Sequence, residues 1–299
     1  MKKIVLFGSN GQVGWELQSS LPLLGNLAVC DRSKVDLSDF DAVSAYLEQE
    51  RPDIIVNAAA YNAVDQAETS EEDAQRINHD LVKVLADYAA GKSAWLVHYS
   101  TDYVFDGASE RPYAETDVTN PLNAYGRSKA QGEQAVVASG CNHLLLRTSW
   151  VYSARGRNFA KTILRLAETK TEFSVVDDQT GAPTSASLVA DITTLCLYQV
   201  LNSSNPEALS GTYHAVASGH ASWYEYARYL VSEAVGLGIP LSCTEHDIRA
   251  VSCSEYPTKA VRPKNSRLDN SKIQNAFNIC IPDWKINIKR TLSDMVRQG

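Results

Sequence analysis

The sequence lacks most of the features that would place it in a specialised class. No apolar run approaches the roughly 18 residues that a membrane-spanning helix needs. Six cysteines are present, Cys30, Cys141, Cys196, Cys243, Cys253 and Cys280, and none forms a C-x-x-C pair. Zinc-ribbon and thioredoxin-like chemistry are therefore excluded, and reduced, mostly buried thiols of a cytoplasmic protein are expected. There is no basic excess either: 28 Lys and Arg face 35 Asp and Glu, for a net charge of -7. That argues against a nucleic-acid polymer as partner but leaves room for a small phosphate-bearing ligand held by local donors. No charged leader, long apolar stretch and small-residue cleavage site come before the first β-rich run, so a secretory signal is not expected. Internal repeats, low-complexity tracts and a clean linker are also missing.

What is present reads as an ordinary globular chain. Its 299 residues are 44% hydrophobic and 21% charged, enough for one large domain or two modest ones sharing a core. The first half alternates β-rich runs with helical periodicity. Strands are expected at Ile4–Phe7, Leu27–Cys30, Asp53–Asn57, Ala94–Tyr99 and His143–Arg147. Helices are expected over Gln12–Leu21, Asp39–Glu50, Glu71–Ala89 and Ala124–Ala138. Strict alternation implies an α/β fold, a doubly wound parallel sheet of Rossmann type with its ligand crevice at the strand C-termini. Residues 1–149 form the expected dinucleotide-binding domain. The pattern loosens after Trp150. Residues 150–299 are expected to be mainly a smaller α/β substrate-binding region, interleaved so that segments near 173–217 return to the first domain.

The turn after the first strand is Gly8-Ser9-Asn10-Gly11-Gln12-Val13-Gly14, a G-x-x-G-x-x-G variant of the dinucleotide fingerprint. Such a turn must bend sharply, bring bare backbone to a pyrophosphate and open a helix whose first N–H groups meet the negative charge. Asp31 ends the second strand, where a carboxylate accepts from ribose hydroxyls. Arg32 follows it, suited to a 2′-phosphate. Asp31 favours NADH and Arg32 favours NADPH, so use of both is expected. Asp36 and Leu37 stand where a carboxylate and an apolar side chain grip an adenine.

Tyr125-Gly126-Arg127-Ser128-Lys129 places a phenol and an ammonium one helical turn apart, on one face. A nearby ammonium lowers a phenol's pKa, and such a tyrosine can protonate a ketone oxygen as hydride reaches the carbon. Tyr88 and Lys92 share the same spacing, but they fall late in a helix that precedes the fourth strand, away from the crevice. Thr101, at the C-terminal edge of the fourth strand, is positioned to donate to a developing oxyanion.

These features together resemble the extended short-chain dehydrogenases/reductases, and among them those acting on nucleotide-linked 4-keto sugars. The resemblance runs over essentially the whole chain. It includes Val56-Asn57-Ala58-Ala59-Ala60, His98-Tyr99-Ser100-Thr101-Asp102-Tyr103-Val104-Phe105, Leu146-Arg147-Thr148-Ser149-Trp150-Val151-Tyr152, Asp178-Gln179-Thr180-Gly181-Ala182-Pro183-Thr184 and Arg262-Pro263-Lys264-Asn265-Ser266-Arg267-Leu268. It implies NAD(P)H-dependent reduction of a dTDP-linked 4-dehydro-6-deoxy-L-mannose, the last step in making dTDP-L-rhamnose, a bacterial cell-surface sugar donor. Gly11, Gln12, Val13, Asp31, Asp36, Leu37, Ala60, Tyr61, Asn62, Tyr125 and Lys129 match the family's cofactor positions. Thr101, Asp102 and Trp150 match its substrate positions, and Arg262 and Arg267 are candidates for the diphosphate. Some members are homodimers joined through Mg²⁺ held by glutamates. Glu16 matches one of those positions, while Ser187 and Asp294 stand at the other two, and the missing carboxylate argues against the metal and that dimer. Tyr103 follows Asp102 where dehydratases of the family carry a glutamate, which argues against water elimination. An epimerase, a talose-forming reductase and a non-catalytic NADP-binding regulatory subunit are the competing readings.

Overall fold

The structure, a computed structural model, describes residues 1–298, with side chains described through Met295. Six strands form a central sheet: β1 (Lys2–Phe7), β2 (Gly25–Cys30), β3 (Ile54–Asn57), β4 (Trp95–Thr101), β5 (His143–Thr148) and β6 (Gly211–His214). Every pairing is parallel, and the order across the sheet is β6-β5-β4-β3-β1-β2. The doubly wound parallel sheet expected from the alternation is the one observed. Its order reverses direction between β1 and β3, and the crevice at that switch point opens beside the glycine turn.

The strands are buried on both faces, as a parallel sheet requires. Ile4, Leu6, Val56, Val97, Leu144 and Leu146 point into one apolar core, while Val5, Phe7, Ile55, Leu96 and Leu145 point into the other. The first core is covered by α1 (Gln12–Ser20) and by helices from the second half of the chain. The second is covered by α2 (Phe40–Glu50), α3 (Leu81–Lys92) and Val136 of α4 (Ala124–Ser139). Local signals explain several boundaries. Asp39 accepts from the Ala42 N–H as N-cap of α2, and Arg51 ends that helix at φ 47, just before Pro52.

The helix expected as continuous over Glu71–Ala89 is interrupted. Residues Arg76–Asp80 form a π-helical turn between Glu71–Gln75 and α3. The wider turn sets the fully buried Asn78 toward the loop after β3. Its amide accepts from the Tyr61 N–H (2.9 Å) and donates to the Tyr61 carbonyl (3.0 Å) and the Ser128 hydroxyl (3.0 Å). Gly132 permits this contact, because a Cβ there would sit 2.2 Å from the Asn78 carbonyl oxygen.

After Trp150 the chain both caps the crevice and returns to the sheet. Helices α5 (Phe159–Thr169), α6 (Ala186–Asn202), α7 (Trp223–Gly236) and α8 (Ile286–Gln298) belong to this half. Gly211–His214 completes the edge of the central sheet beside β5. Phe173–Val176 does not join that sheet; it pairs with Ile248–Val251, a strand the sequence reading did not anticipate. Two-residue pairings, Val151–Tyr152 with Thr184–Ser185 and Thr180–Gly181 with Ala221–Ser222, tie the cap together. None of the described helices is long and apolar enough to cross a membrane.

Candidate active site

The glycine turn is built by close packing. Gly8 has φ +77, and a Cβ there would lie 2.4 Å from the Ala59 nitrogen; a Cβ on Gly14 would lie 2.2 Å from the Gly8 carbonyl oxygen. Gly11 is the N-cap of α1 with no side-chain cap, and the first ladder bond runs from the Trp15 N–H to the Gly11 carbonyl. The N–H groups of Gln12, Val13 and Gly14 therefore have no partner within the helix and meet the crevice as open donors. That donor set, behind a turn where Gly8, Gly11 and Gly14 carry no side chain, fits a pyrophosphate. Gln12 Oε1 accepts from the Ser153 hydroxyl (3.0 Å) and the Asn158 amide (2.8 Å), so the second half of the chain orients this side chain and leaves its own NH₂ as a donor.

Asp31 stands just past β2, where its Oδ1 accepts from the Ser33 N–H (2.9 Å) and hydroxyl (2.5 Å). Those bonds hold its carboxyl below the usual range. Asp36 is held down in the same way by the Ser38 N–H and hydroxyl. Arg32 is exposed beside them, and Leu37 packs against the second core. Ala60, Tyr61 and Asn62 form the loop after β3, clamped by Asn78.

The first turn of α4 carries Tyr125. Asn123 caps that helix by accepting from the Gly126 N–H (2.8 Å), and its amide donates to the Val261 carbonyl (2.8 Å). Gly126 lets the turn press onto the end of β4, since a Cβ there would sit 2.2 Å from the Tyr103 carbonyl oxygen. Tyr125, Thr101 and Asp102 thus meet at one place. Burial pushes the Tyr125 phenol up to about 12, against a smaller lowering by the Thr101 hydroxyl. Thr101 Oγ1 donates to Asp102 Oδ1 (2.9 Å). Burial pushes the Asp102 carboxyl up to about 6, with hydrogen bonds from Ser266 and Thr101 pulling the other way.

Lys129 is fully buried one turn further along α4. Its Nζ donates to the Tyr99 carbonyl (2.5 Å) and lies 3.3 Å from His98 Nε2. Burial lowers Lys129 to about 8, opposed by the Glu133 charge. The second Tyr-x-x-x-Lys pair is far from this chemistry: the Tyr88 phenol donates to the Leu47 carbonyl, and Lys92 pairs with Glu48.

Trp150, the residue matched to a substrate position, has φ +48, a left-handed backbone uncommon for a bulky residue. Its indole stacks on Trp223 with centroids 3.4 Å apart and planes 6° from parallel, and Phe159 packs on the far side of Trp223. Gly181 makes room for the Trp150 ring, which would lie 2.5 Å from a Cβ there. Arg262 is paired with Asp65 (2.9 Å). Arg267 is tied to the Asn265 side chain and the Glu110 carbonyl. Both guanidiniums therefore already have partners and are not presented together as a free pair.

Glu16, Ser187 and Asp294 do come together, lining a cavity of about 60 Å³ with Arg290. Burial raises Glu16, Arg290 opposes it, and Asp294 and Asp191 add to it. A guanidinium already supplies the positive charge there. No group of three His, Cys, Asp or Glu fit to hold a metal occurs among the described residues. The donor set does not fit Mg²⁺, which needs an octahedron of oxygens.

Sequence reasoning missed His98, Asn57, Asn78, Ser153, Asn158 and Trp223. His98 and Asn57 lay inside quoted motifs, but no local signal marks His98 as a partner of Lys129 or Asn57 as a partner of His98.

Residues 1–297 match the family model described as RmlD substrate binding domain. The chain is 48% identical over 296 residues to a dTDP-4-dehydrorhamnose reductase of Escherichia coli K12, covering 98% of this chain and 97% of that protein. It is 48% identical to the enzyme of the same name from Salmonella typhimurium LT2, with the same coverage. The crystal structure of dTDP-4-dehydrorhamnose reductase from Bacillus anthracis in complex with NADP superposes with a TM-score of 0.87 at 31% identity, covering 98% of this chain and 99% of that one. With its glycine turn after β1, Thr101 at the end of β4 and Trp150 after β5, all at the C-terminal ends of strands of one parallel sheet, the chain belongs to the RmlD substrate binding domain family, alongside the dTDP-4-dehydrorhamnose reductases.

Proposed function

We propose that this protein reduces the 4-keto group of dTDP-4-dehydro-6-deoxy-L-mannose to dTDP-L-rhamnose, using NADPH or NADH. The observation that carries the reading is the meeting of Tyr125 and Thr101 at the end of β4, with Lys129 buried one turn along, in the crevice that begins at the glycine turn. The nicotinamide supplies a hydride to C4 of the sugar. The open N–H groups of Gln12, Val13 and Gly14 bind the pyrophosphate, and Asp31 accepts from the adenosine ribose. Tyr125 stays protonated through the neutral range, because burial holds its pKa at about 12, and it gives its proton to the ketone oxygen. Thr101 orients that oxygen, and Asp102 orients Thr101. Tyr103 packs edge-on against Tyr125, and burial pushes its own phenol up, so it supplies no base for dehydration. The six free cysteines favour a cytoplasmic setting.

The experiment is consumption of reduced nicotinamide with the 4-keto substrate generated in situ, followed by NMR of the product. A C4 epimer of rhamnose would replace the reading with a talose-forming one, and no consumption would leave a binding-only protein.

The cofactor end gives its own prediction. Asp31→Ala is expected to weaken NADH more than NADPH, because the free ribose diol loses its acceptor while Arg32 still faces a 2′-phosphate. Titration of both cofactors checks this, and equal weakening would reverse the ribose assignment. At the sugar end, Trp223→Ala is expected to raise KM for the sugar nucleotide at least ~10-fold with a smaller change in kcat, because Trp150 loses the plate that holds its strained backbone. An unchanged KM would show that Trp150 needs no such support.

A further inference from the structure

The loop from Ser153 to Asn158 belongs to the second half of the chain, yet it lies against the first turn of α1, at the glycine turn. Besides the bonds to Gln12, two contacts seat it there. The Arg155 guanidinium lies over the Trp15 ring, 3.9 Å from its centroid. Gly156, at φ +73, brings the loop backbone past Gln12, where a Cβ would lie 3.5 Å from Gln12 Cγ.

Backbone contacts fix which way each amide in this cluster faces. Asn158 is the N-cap of α5, and its Oδ1 accepts from the Lys161 N–H at 3.0 Å. Its Nδ2 is therefore the donor, and it carries two hydrogens. One goes to the Ser153 carbonyl at 2.8 Å and the other to Gln12 at 2.8 Å. The Gln12 atom that meets a donor must be its oxygen, so Nε2 lies on the other side of the amide, without a partner among the described residues. Ser153 also reaches Gln12 Oε1, at 3.0 Å, but its one hydrogen is shared with the Arg155 carbonyl at 2.8 Å. Asn158 is the firmer anchor.

We propose that Asn158, with Ser153 beside it, is a positioning residue for cofactor binding: it holds the Gln12 side chain with its NH₂ free for the dinucleotide's diphosphate. The identity of that ligand rests on the proposed function. Gln12 is the first residue of α1, so its NH₂ stands at the same helix end as the open N–H groups of Gln12, Val13 and Gly14. A hydrogen bond from an amide to a charged phosphate oxygen is stronger than one between neutral groups. A glutamine free to turn would lose its rotamer freedom when the diphosphate arrives. One already bonded through Oε1 has lost it during folding, so the binding step is spared that cost. A residue far along the chain thereby takes part in a site that the glycine turn alone marks in the sequence.

Fluorescence titration of the full-length protein with NADPH and with NADH, in the absence of sugar nucleotide, tests this. Gln12→Ala is expected to raise both Kd values at least ~10-fold. Asn158→Ser keeps an N-cap oxygen for the Lys161 N–H and removes the amide donor. It is expected to raise both Kd values at least ~3-fold and by the same factor, because the two cofactors share the diphosphate. In the Gln12→Ala background the same substitution is expected to change Kd by less than about 2-fold, since Asn158 then has no amide to aim. An unmoved Kd in Asn158→Ser, or an equal loss in both backgrounds, would overturn the proposal and leave Asn158 as a tie between the two halves of the chain. Wild-type protein that binds neither cofactor would overturn the proposed function, and this role with it. Should Asn158→Ser not fold, Ser153→Ala is carried through the same cycle, with the same outcomes deciding.

Discussion

Tyr125→Phe is expected to lower kcat at least ~100-fold while leaving the affinity for NADPH within about twofold of wild type. The phenol is poised at the end of β4 beside Thr101, and its pKa, about 12, keeps it loaded across the neutral range. Without it the alkoxide left by hydride arrival must take its proton from water or from the Thr101 hydroxyl, which is already committed to Asp102. The ring itself is structural, packing edge-on against Tyr103 with centroids 5.9 Å apart, and phenylalanine preserves that contact. Steady-state kinetics with a fluorescence titration of the cofactor separates the two effects. A kcat near wild type would remove Tyr125 from the chemistry and move the search for the acid to Asp102.

The second large effect is on stability. Arg147 and Glu133 form a bidentate pair, with Nε to Oε1 at 2.9 Å and Nη2 to Oε2 at 2.6 Å. Both side chains are buried, at 6% and 8% exposure. The Arg147 guanidinium also lies over the Phe105 ring, 5.0 Å from its centroid. Removing one partner leaves a buried charge uncompensated, so Glu133→Leu or Arg147→Met is expected to cost about 3–5 kcal/mol in urea unfolding. The double variant is expected to recover most of that loss, because an apolar pair of similar volume avoids the desolvation of both ions. Losses that simply add would show that the pair is not coupled. Glu133 is also the charge that favours protonated Lys129, so its removal has a second consequence at the active site.

The parts of this protein that could be read in advance are those whose physics is local. A turn that must bend, bind phosphate and start a helix within seven residues writes its glycines in order, and Gly8, Gly11 and Gly14 were legible for that reason. Two side chains four apart on a helix are neighbours whatever the fold, which made Tyr125 and Lys129 visible. The same spacing also produced Tyr88 and Lys92, and only their place relative to the fourth strand separated the pairs. What escaped depends on chain segments far apart. The partner of Arg262 is Asp65, the partners of Gln12 are Ser153 and Asn158, and Trp150 rests on Trp223. The π-helical turn at Arg76–Asp80 escaped because no residue type in the sequence marks where a helix widens by one residue.

The return of Gly211–His214 to the outer edge of the central sheet bears on how the molecule comes apart. This strand is made more than sixty residues after β5, yet it covers the backbone of Leu144–Arg147. A fragment ending near residue 149 would leave that flank of β5 with naked amides and carbonyls, an invitation to pair with another copy. The first half of the chain is thus not a detachable module. During synthesis its last seam closes only when the second half has been made.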